Sequence, residues 1–159
     1  MSKARTAITA LALSAAGLVG LIQHEGYKSA AYIPVPGDVP TIGHGTTRYE
    51  DGSAVKLGDR VTPERAQVLL RNDASKFERA VKRCAPVPMY PYEYDAFVSL
   101  AYNIGEDAFC RSTLAKKLNA LDYAGACREI EKWVYFKGKT LPGLVKRRAD
   151  ERARCEGRV

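Results

Sequence analysis

From Thr6 to Ile22 the chain carries no charged residue, and Leu11, Ala15, Leu18 and Ile22 recur at helical spacing. This predicts a helix that ends at Glu25, because Gly26 follows at once and glycine is the commonest residue just past a helix C-terminus. The period then changes. Ala31-Tyr32-Ile33 and Pro40-Thr41-Ile42 flank a Pro- and Gly-rich stretch, and Glu50-Asp51-Gly52-Ser53 marks a turn before Ala54-Val55-Lys56-Leu57. The expectation is a small antiparallel sheet of two or three strands. Thr62-Pro63-Glu64 opens a long helix, with Thr as cap, Pro in first position and an acid in the first turn. Its inner face is Ala66, Leu69, Leu70, Phe77 and Val81; it runs to about Arg83, and Pro86-Val87-Pro88 ends it.

Everything afterwards reads as helix. The segment from about Tyr92 to Ile104 is the most apolar and is expected at the centre of a larger lobe. Ser112 caps a helix to Ala120, Asp122 caps one to about Val134, and a last helix spans about Leu144 to Cys155. A small sheet with helices segregated around it is an α+β architecture.

The uncharged N-terminal run has three readings. At about 1.5 Å per residue it spans roughly 25 Å, the short end of what crosses a bilayer. Ala, Gly, Thr and Ser make up ten of its seventeen residues, and Lys3 and Arg5 precede it. A cleaved export signal would use Ala10-Leu11-Ala12 or Leu13-Ser14-Ala15 as its site, but would leave a stub on the helix that reaches Glu25. A buried helix would use the apolar stripe. The third reading, an anchor weak enough to leave the membrane, is favoured because the run continues unbroken into Glu25.

A net charge of +7 and a pI near 9.3 draw the surface toward polyanions: nucleic acid, anionic lipid or cell wall. No run of Arg and Lys interleaved with aromatics supports a nucleic-acid partner. Cys84, Cys110, Cys127 and Cys155 are far apart and away from both histidines, so no metal site is expected. Four cysteines behind an export-like N-terminus read as two disulfides. Of three connectivities, Cys84 with Cys110 and Cys127 with Cys155 is preferred, because it ties a helical hairpin and clamps the last helix.

Glu25 carries the candidate chemistry. The C-terminal end of a helix is negative, which favours the protonated form of a carboxyl group there. An acid that keeps its proton can give it to a leaving group. The partner should be a carboxylate in a polar turn, which Pro36-Gly37-Asp38 supplies, and two such groups point to glycoside cleavage.

These residues together resemble a known family. A helix ending in Glu25-Gly26, then Tyr32, an Asp-bearing loop and Thr41-Ile42-Gly43-His44-Gly45 looks like the catalytic region of the phage-type lysozymes, the endolysins or muramidases. The likeness continues through Tyr94 to Gly105, Arg111-Ser112-Thr113-Leu114, Asp122 to Cys127, Arg128 through Trp133 to Gly138, and Leu141-Pro142-Gly143-Leu144. The family spacing puts its second acid at position 34, where this chain has Pro34, and the only acid in the loop is Asp38.

The resemblance implies a lysozyme-like fold of α+β class, a small sheet-bearing lobe and a larger helical lobe joined by the long helix, and a catalytic domain over residues 25–159. Residues 1–24 resemble the membrane segment of signal-anchor-release endolysins, held in the inner membrane through residues 6–22 and later released to the periplasm. The family roles fall on Glu25 as acid, Asp38 as second carboxylate and Thr41 as holder of water. The substrate would be peptidoglycan, cut between N-acetylmuramic acid and N-acetylglucosamine for host lysis. No cofactor, no metal and no nucleic acid is implied, and a monomer is the default.

Tyr32, His44, Tyr102 and Asn103 are candidates for substrate contact. His44 reads first as a partly buried, hydrogen-bonded side chain, Tyr102 and Asn103 as core packing and a helix cap, and Trp133 as core. Lys137, Lys139, Lys146, Arg147 and Arg148 form a basic region that reads mainly as a solvated face. Two rivals stand beside hydrolysis: a lytic transglycosylase, which needs one acid and releases anhydro products, and a membrane-tethered wall-binding module without catalysis.

Overall fold

The computed structural model describes residues 3–159. The chain forms two compact units, one from the chain up to Gly17 together with Phe77–Val159, the other from Leu18–Lys76. Helix α1 is Ala15–Glu25, followed by strands β1 (Lys28–Tyr32) and β2 (Thr41–Gly43), and helix α2 is Pro63–Cys84. Helices α3 (Pro91–Ile104), α4 (Glu106–Arg111), α5 (Thr113–Asn119) and α6 (Tyr123–Glu129) come next, then the hairpin β3 (Tyr135–Phe136) and β4 (Lys139–Thr140), and finally α7 (Pro142–Cys155).

In the Leu18–Lys76 unit, β1 and β2 pair antiparallel with Lys28 opposite Gly43 and Tyr32 opposite Thr41. The third strand expected at Ala54–Leu57 is reduced to one bridge between Arg48 and Ala54. Leu21, Ile42, Ala66, Leu69, Leu70 and Ala74 are fully buried apolar positions of this unit. Thr62 accepts from the Arg65 amide at 3.2 Å, so the long helix starts where its cap predicts.

The other unit is helical. Helix α3 is buried from Glu93 to Ala101 and packs on α4 and α7, while α5 packs on α6. Ser112 and Asp122 cap α5 and α6 by accepting from Ala115 and Gly125, at 3.0 and 2.9 Å. The helix expected to run from Asp122 to Val134 stops at Glu129 and tightens into a 3-10 turn over Ile130–Lys132. Disulfides join Cys84 to Cys110 and Cys127 to Cys155.

The uninterrupted helix expected through Thr6 to Ile22 is corrected. Among the described residues no helix is long and apolar enough to cross a membrane. Thr6 instead exchanges two backbone bonds of 2.9 Å with Met89, Ile8–Ala10 form a 3-10 turn, and the helix begins only at Ala15. The physical cause is Ser14, whose hydroxyl accepts from the Gly17 amide at 3.0 Å and so acts as an N-cap inside the apolar run. The expected stripe changes with it: Ala15 is exposed, while Ile8, Leu11 and Leu13 are buried.

The freed backbone groups of this segment meet side chains of its own unit. The Leu13 amide donates to Glu78 at 2.6 Å, the Ser14 amide and hydroxyl both donate to Asp95, and Lys82 donates to the Leu11 carbonyl at 2.5 Å. Arg5 makes a two-pronged bond to buried Glu93, at 3.0 and 2.8 Å, and its guanidinium lies over the rings of Tyr90 and Tyr123. A Cβ at Gly17 would lie 2.7 Å from the Asp95 carboxyl, so a glycine is needed at this position.

Candidate functional site

Glu25 is the last residue of α1 and is half-buried. Gly26, at φ +71°, closes the helix by donating its amide to the Ile22 carbonyl at 3.0 Å, the left-handed cap that the Glu-Gly pair predicts. His44 is 3% exposed, and its Nδ1 is bonded to the Gly26 carbonyl, which ties the residue after Glu25 to the turn that follows β2.

The loop between β1 and β2 places Asp38 and Thr41 around one residue. Asp38 is exposed and its Oδ1 accepts from the Val39 amide at 2.8 Å, while the buried Thr41 donates its hydroxyl to the Val39 carbonyl at 3.2 Å. The Asp38 amide also donates to the Val35 carbonyl at 3.0 Å, closing a turn over Val35–Asp38 with Pro36 and Gly37 at its centre. Tyr32, opposite Thr41 in the sheet, is exposed, with the Lys28 ammonium 5.8 Å from its ring centre.

The turn that carries His44 is braced on α2. Ile42 and Thr46 exchange backbone bonds of 2.9 and 3.0 Å, and the Thr46 hydroxyl donates to Asp73 at 2.6 Å. Burial pushes the Asp73 carboxyl up, against the lowering effect of the Thr46 bond. An acid raised in the folded state favours folding while protonated and loses that contribution as pH rises through its folded value. Asp73→Asn keeps an acceptor for Thr46 without a charge. The variant should therefore melt at or above the wild-type temperature at pH 7, with the gap closing toward about pH 4, near the ordinary carboxyl value. Thermal unfolding at the two pH values checks this, and a variant less stable at pH 7 would contradict it.

Tyr102 and Asn103 lie in the other unit, at the end of α3. Tyr102 is half-buried with its ring edge-on to Phe77 at 5.1 Å. Asn103 is exposed, and its Oδ1 accepts from Arg148 at 2.6 Å. With Ile104, Trp133, Tyr135, Phe136 and Leu144 it lines a cavity of about 410 Å³. Trp133, expected in the core, is half-buried on that wall. Arg147 and Arg148, expected on the solvated basic face, are buried around Glu151.

Tyr135 and Phe136 were not singled out by the sequence. The one signal for them is Gly138 in the second place of a two-residue turn, Lys137-Gly138, which joins Tyr135-Phe136 to Lys139-Thr140 with both turn residues at positive φ. Among the described residues no group of three or more His, Cys, Asp or Glu is placed to hold a metal ion.

The chain is similar to known proteins over most of its length. The phage lysozyme family matches residues 22–151. The endolysin of Acyrthosiphon pisum secondary endosymbiont phage 1 is 40% identical over 148 residues, covering 91% of this chain and 97% of its own. The SAR-endolysin of Enterobacteria phage P21 is 32% identical, over 92% of this chain and 87% of its own. The solved structure of the endolysin from Escherichia coli O157:H7 phage FAHEc1 superposes with a TM-score of 0.85 at 37% identity, covering 94% of this chain and 96% of that one.

Proposed function

Since the chain belongs to the phage lysozyme family, and with it to the glycoside hydrolases of lysozyme type, we propose that Glu25 is the acid that opens its substrate's glycosidic bond. The fold is the α+β lysozyme fold, and the protein is a phage endolysin that lyses the host wall. The bond is the β-1,4 link between N-acetylmuramic acid and N-acetylglucosamine of peptidoglycan. Glu25 gives its proton to the glycosidic oxygen as the bond to the sugar carbon breaks. Asp38 stabilises the positive charge left on that sugar, or takes a proton from water that Thr41 holds, and the water oxygen completes the new hydroxyl.

The observation that supports this reading best is the end of α1. A half-buried carboxyl stands there at the negative helix end, with Gly26 capped and tied to His44. The convergence of Asp38 and Thr41 on Val39 supports their pairing in one loop despite Pro34 in the family's acid position. Asp38→Asn should lower turnover of purified peptidoglycan roughly 10- to 100-fold, as expected for loss of one charge-stabilising group that water partly screens. Full activity of that variant would remove Asp38 from the mechanism.

Relatives described as SAR-endolysins support membrane anchoring of this chain as well. In the proposed sequence of events residues 6–22 lie in the inner membrane first, and the fold described above is the released periplasmic form. What supports this is that Ile8, Leu11 and Leu13, apolar enough for lipid, have protein to pack against, and that the segment's backbone has Glu78, Lys82 and Asp95 as partners.

A further inference from the structure

His44 is buried and bonded to a carbonyl oxygen, and the chemistry above gives it no proton to carry. A carbonyl can only accept, so Nδ1 is the protonated nitrogen, and it keeps that proton in both the neutral and the cationic ring. The acceptor belongs to Gly26, one peptide beyond the Glu25 side chain. Tyr27 is held as well: its hydroxyl donates to the Val61 carbonyl at 2.8 Å, and its ring tilts against His44 at 5.7 Å between centres.

The histidine itself has little freedom. Gly43 has φ +63°, and a Cβ there would come 3.0 Å from the Cβ of Ala66, so the turn lies directly against α2. The Thr46 bond to Asp73 fixes the other end of the same turn. A run of contacts therefore leads from α2 through the Ile42–Thr46 turn and His44 to Gly26. The Gly26 carbonyl lies just beyond the last residue of α1, so the bond from His44 holds the cap itself and ties the helix end, where helices fray, to the Ile42–Thr46 turn.

We propose that His44 is a positioning residue: its Nδ1–H bond to the Gly26 carbonyl fixes the C-terminal turn of α1 and so the direction in which Glu25 presents its carboxyl. This rests on the reading of Glu25 as the acid. Two variants separate the bond from the ring. His44→Asn places an amide donor where Nδ1 was, and His44→Phe keeps an aromatic ring beside Tyr27 but has no donor.

The measurement is kcat and KM on purified peptidoglycan, with thermal unfolding of each variant and Glu25→Gln assayed alongside. His44→Phe should lose roughly 10- to 100-fold in kcat at nearly unchanged KM, the scale expected when a reacting group is displaced by about 1 Å. His44→Asn should recover most of that loss and keep the wild-type pH profile. Equal losses in the two variants, or a lowered melting temperature with unchanged kcat in His44→Phe, would overturn the proposal. An inactive Glu25→Gln beside a fully active His44→Phe overturns this inference alone, whereas an active Glu25→Gln overturns the reading on which it rests.

Discussion

Glu25→Gln should nearly abolish release of peptidoglycan fragments while leaving the protein folded. The amide has the size of the acid and can occupy the last position of α1, ahead of the same Gly26 cap. It has no acidic proton to give. General acid catalysis contributes roughly 10² to 10⁴ in rate, and a leaving sugar oxygen that departs unprotonated carries its full negative charge. Stability should change by no more than about 1 kcal/mol, because the side chain is half-buried and its replacement is isosteric. A turbidity assay and a thermal melt on the same preparation check both halves. Lysis at the wild-type rate would remove Glu25 from the mechanism.

Ala12→Leu with Ala16→Leu should trap the proposed anchored form. Both alanines are exposed in the folded protein, so the larger side chains meet solvent there and leave the packing of Ile8, Leu11 and Leu13 undisturbed. In a bilayer the same side chains are buried. Each substitution adds three carbons, at about 0.8 kcal/mol per buried CH₂, which gives about 4–5 kcal/mol for the pair and a partition shifted roughly 10³-fold toward lipid. Fractionation of cells should find the double variant in the membrane and the wild type increasingly in the periplasm. The purified soluble double variant should keep wild-type activity. Unchanged release in cells would contradict the proposed anchor.

The parts of this structure that could be read in the sequence are those fixed by neighbours along the chain. Thr62, Ser112 and Asp122 cap the helices they were expected to cap, because a cap bonds an amide only three residues away. The Glu25-Gly26 helix end was legible for the same reason. The N-terminal segment was not. Ser14 is also a local cap, but it sits in an uncharged run whose composition suits a membrane, and the side chains that answer its backbone are distant: Glu78 is 65 positions from Leu13, and Asp95 is 81 from Ser14.

The candidate site divides in the same way. Thr41 and Asp38 were legible as a loop pair, whereas the bond from His44 to Gly26 exists only once β1 and β2 have paired. Asn103 was read as a cap or a sugar contact, but its side chain is held by Arg148, on a helix 45 positions away, at the wall of a cavity. The exposed aromatics of that wall depend on a two-residue hairpin turn whose sequence signal is Gly138 alone, because its other residue, Lys137, stands at φ +49°, a conformation that lysine seldom adopts.

The most direct test of the account is a mass spectrum of the fragments that the wild-type enzyme releases from purified peptidoglycan, with Glu25→Gln as control. Hydrolysis by an acid at Glu25 predicts chains ending in reducing N-acetylmuramic acid from the wild type and almost none from the variant. Chains ending in 1,6-anhydro-muramic acid would contradict it, because the sugar would then have closed on itself with no water added.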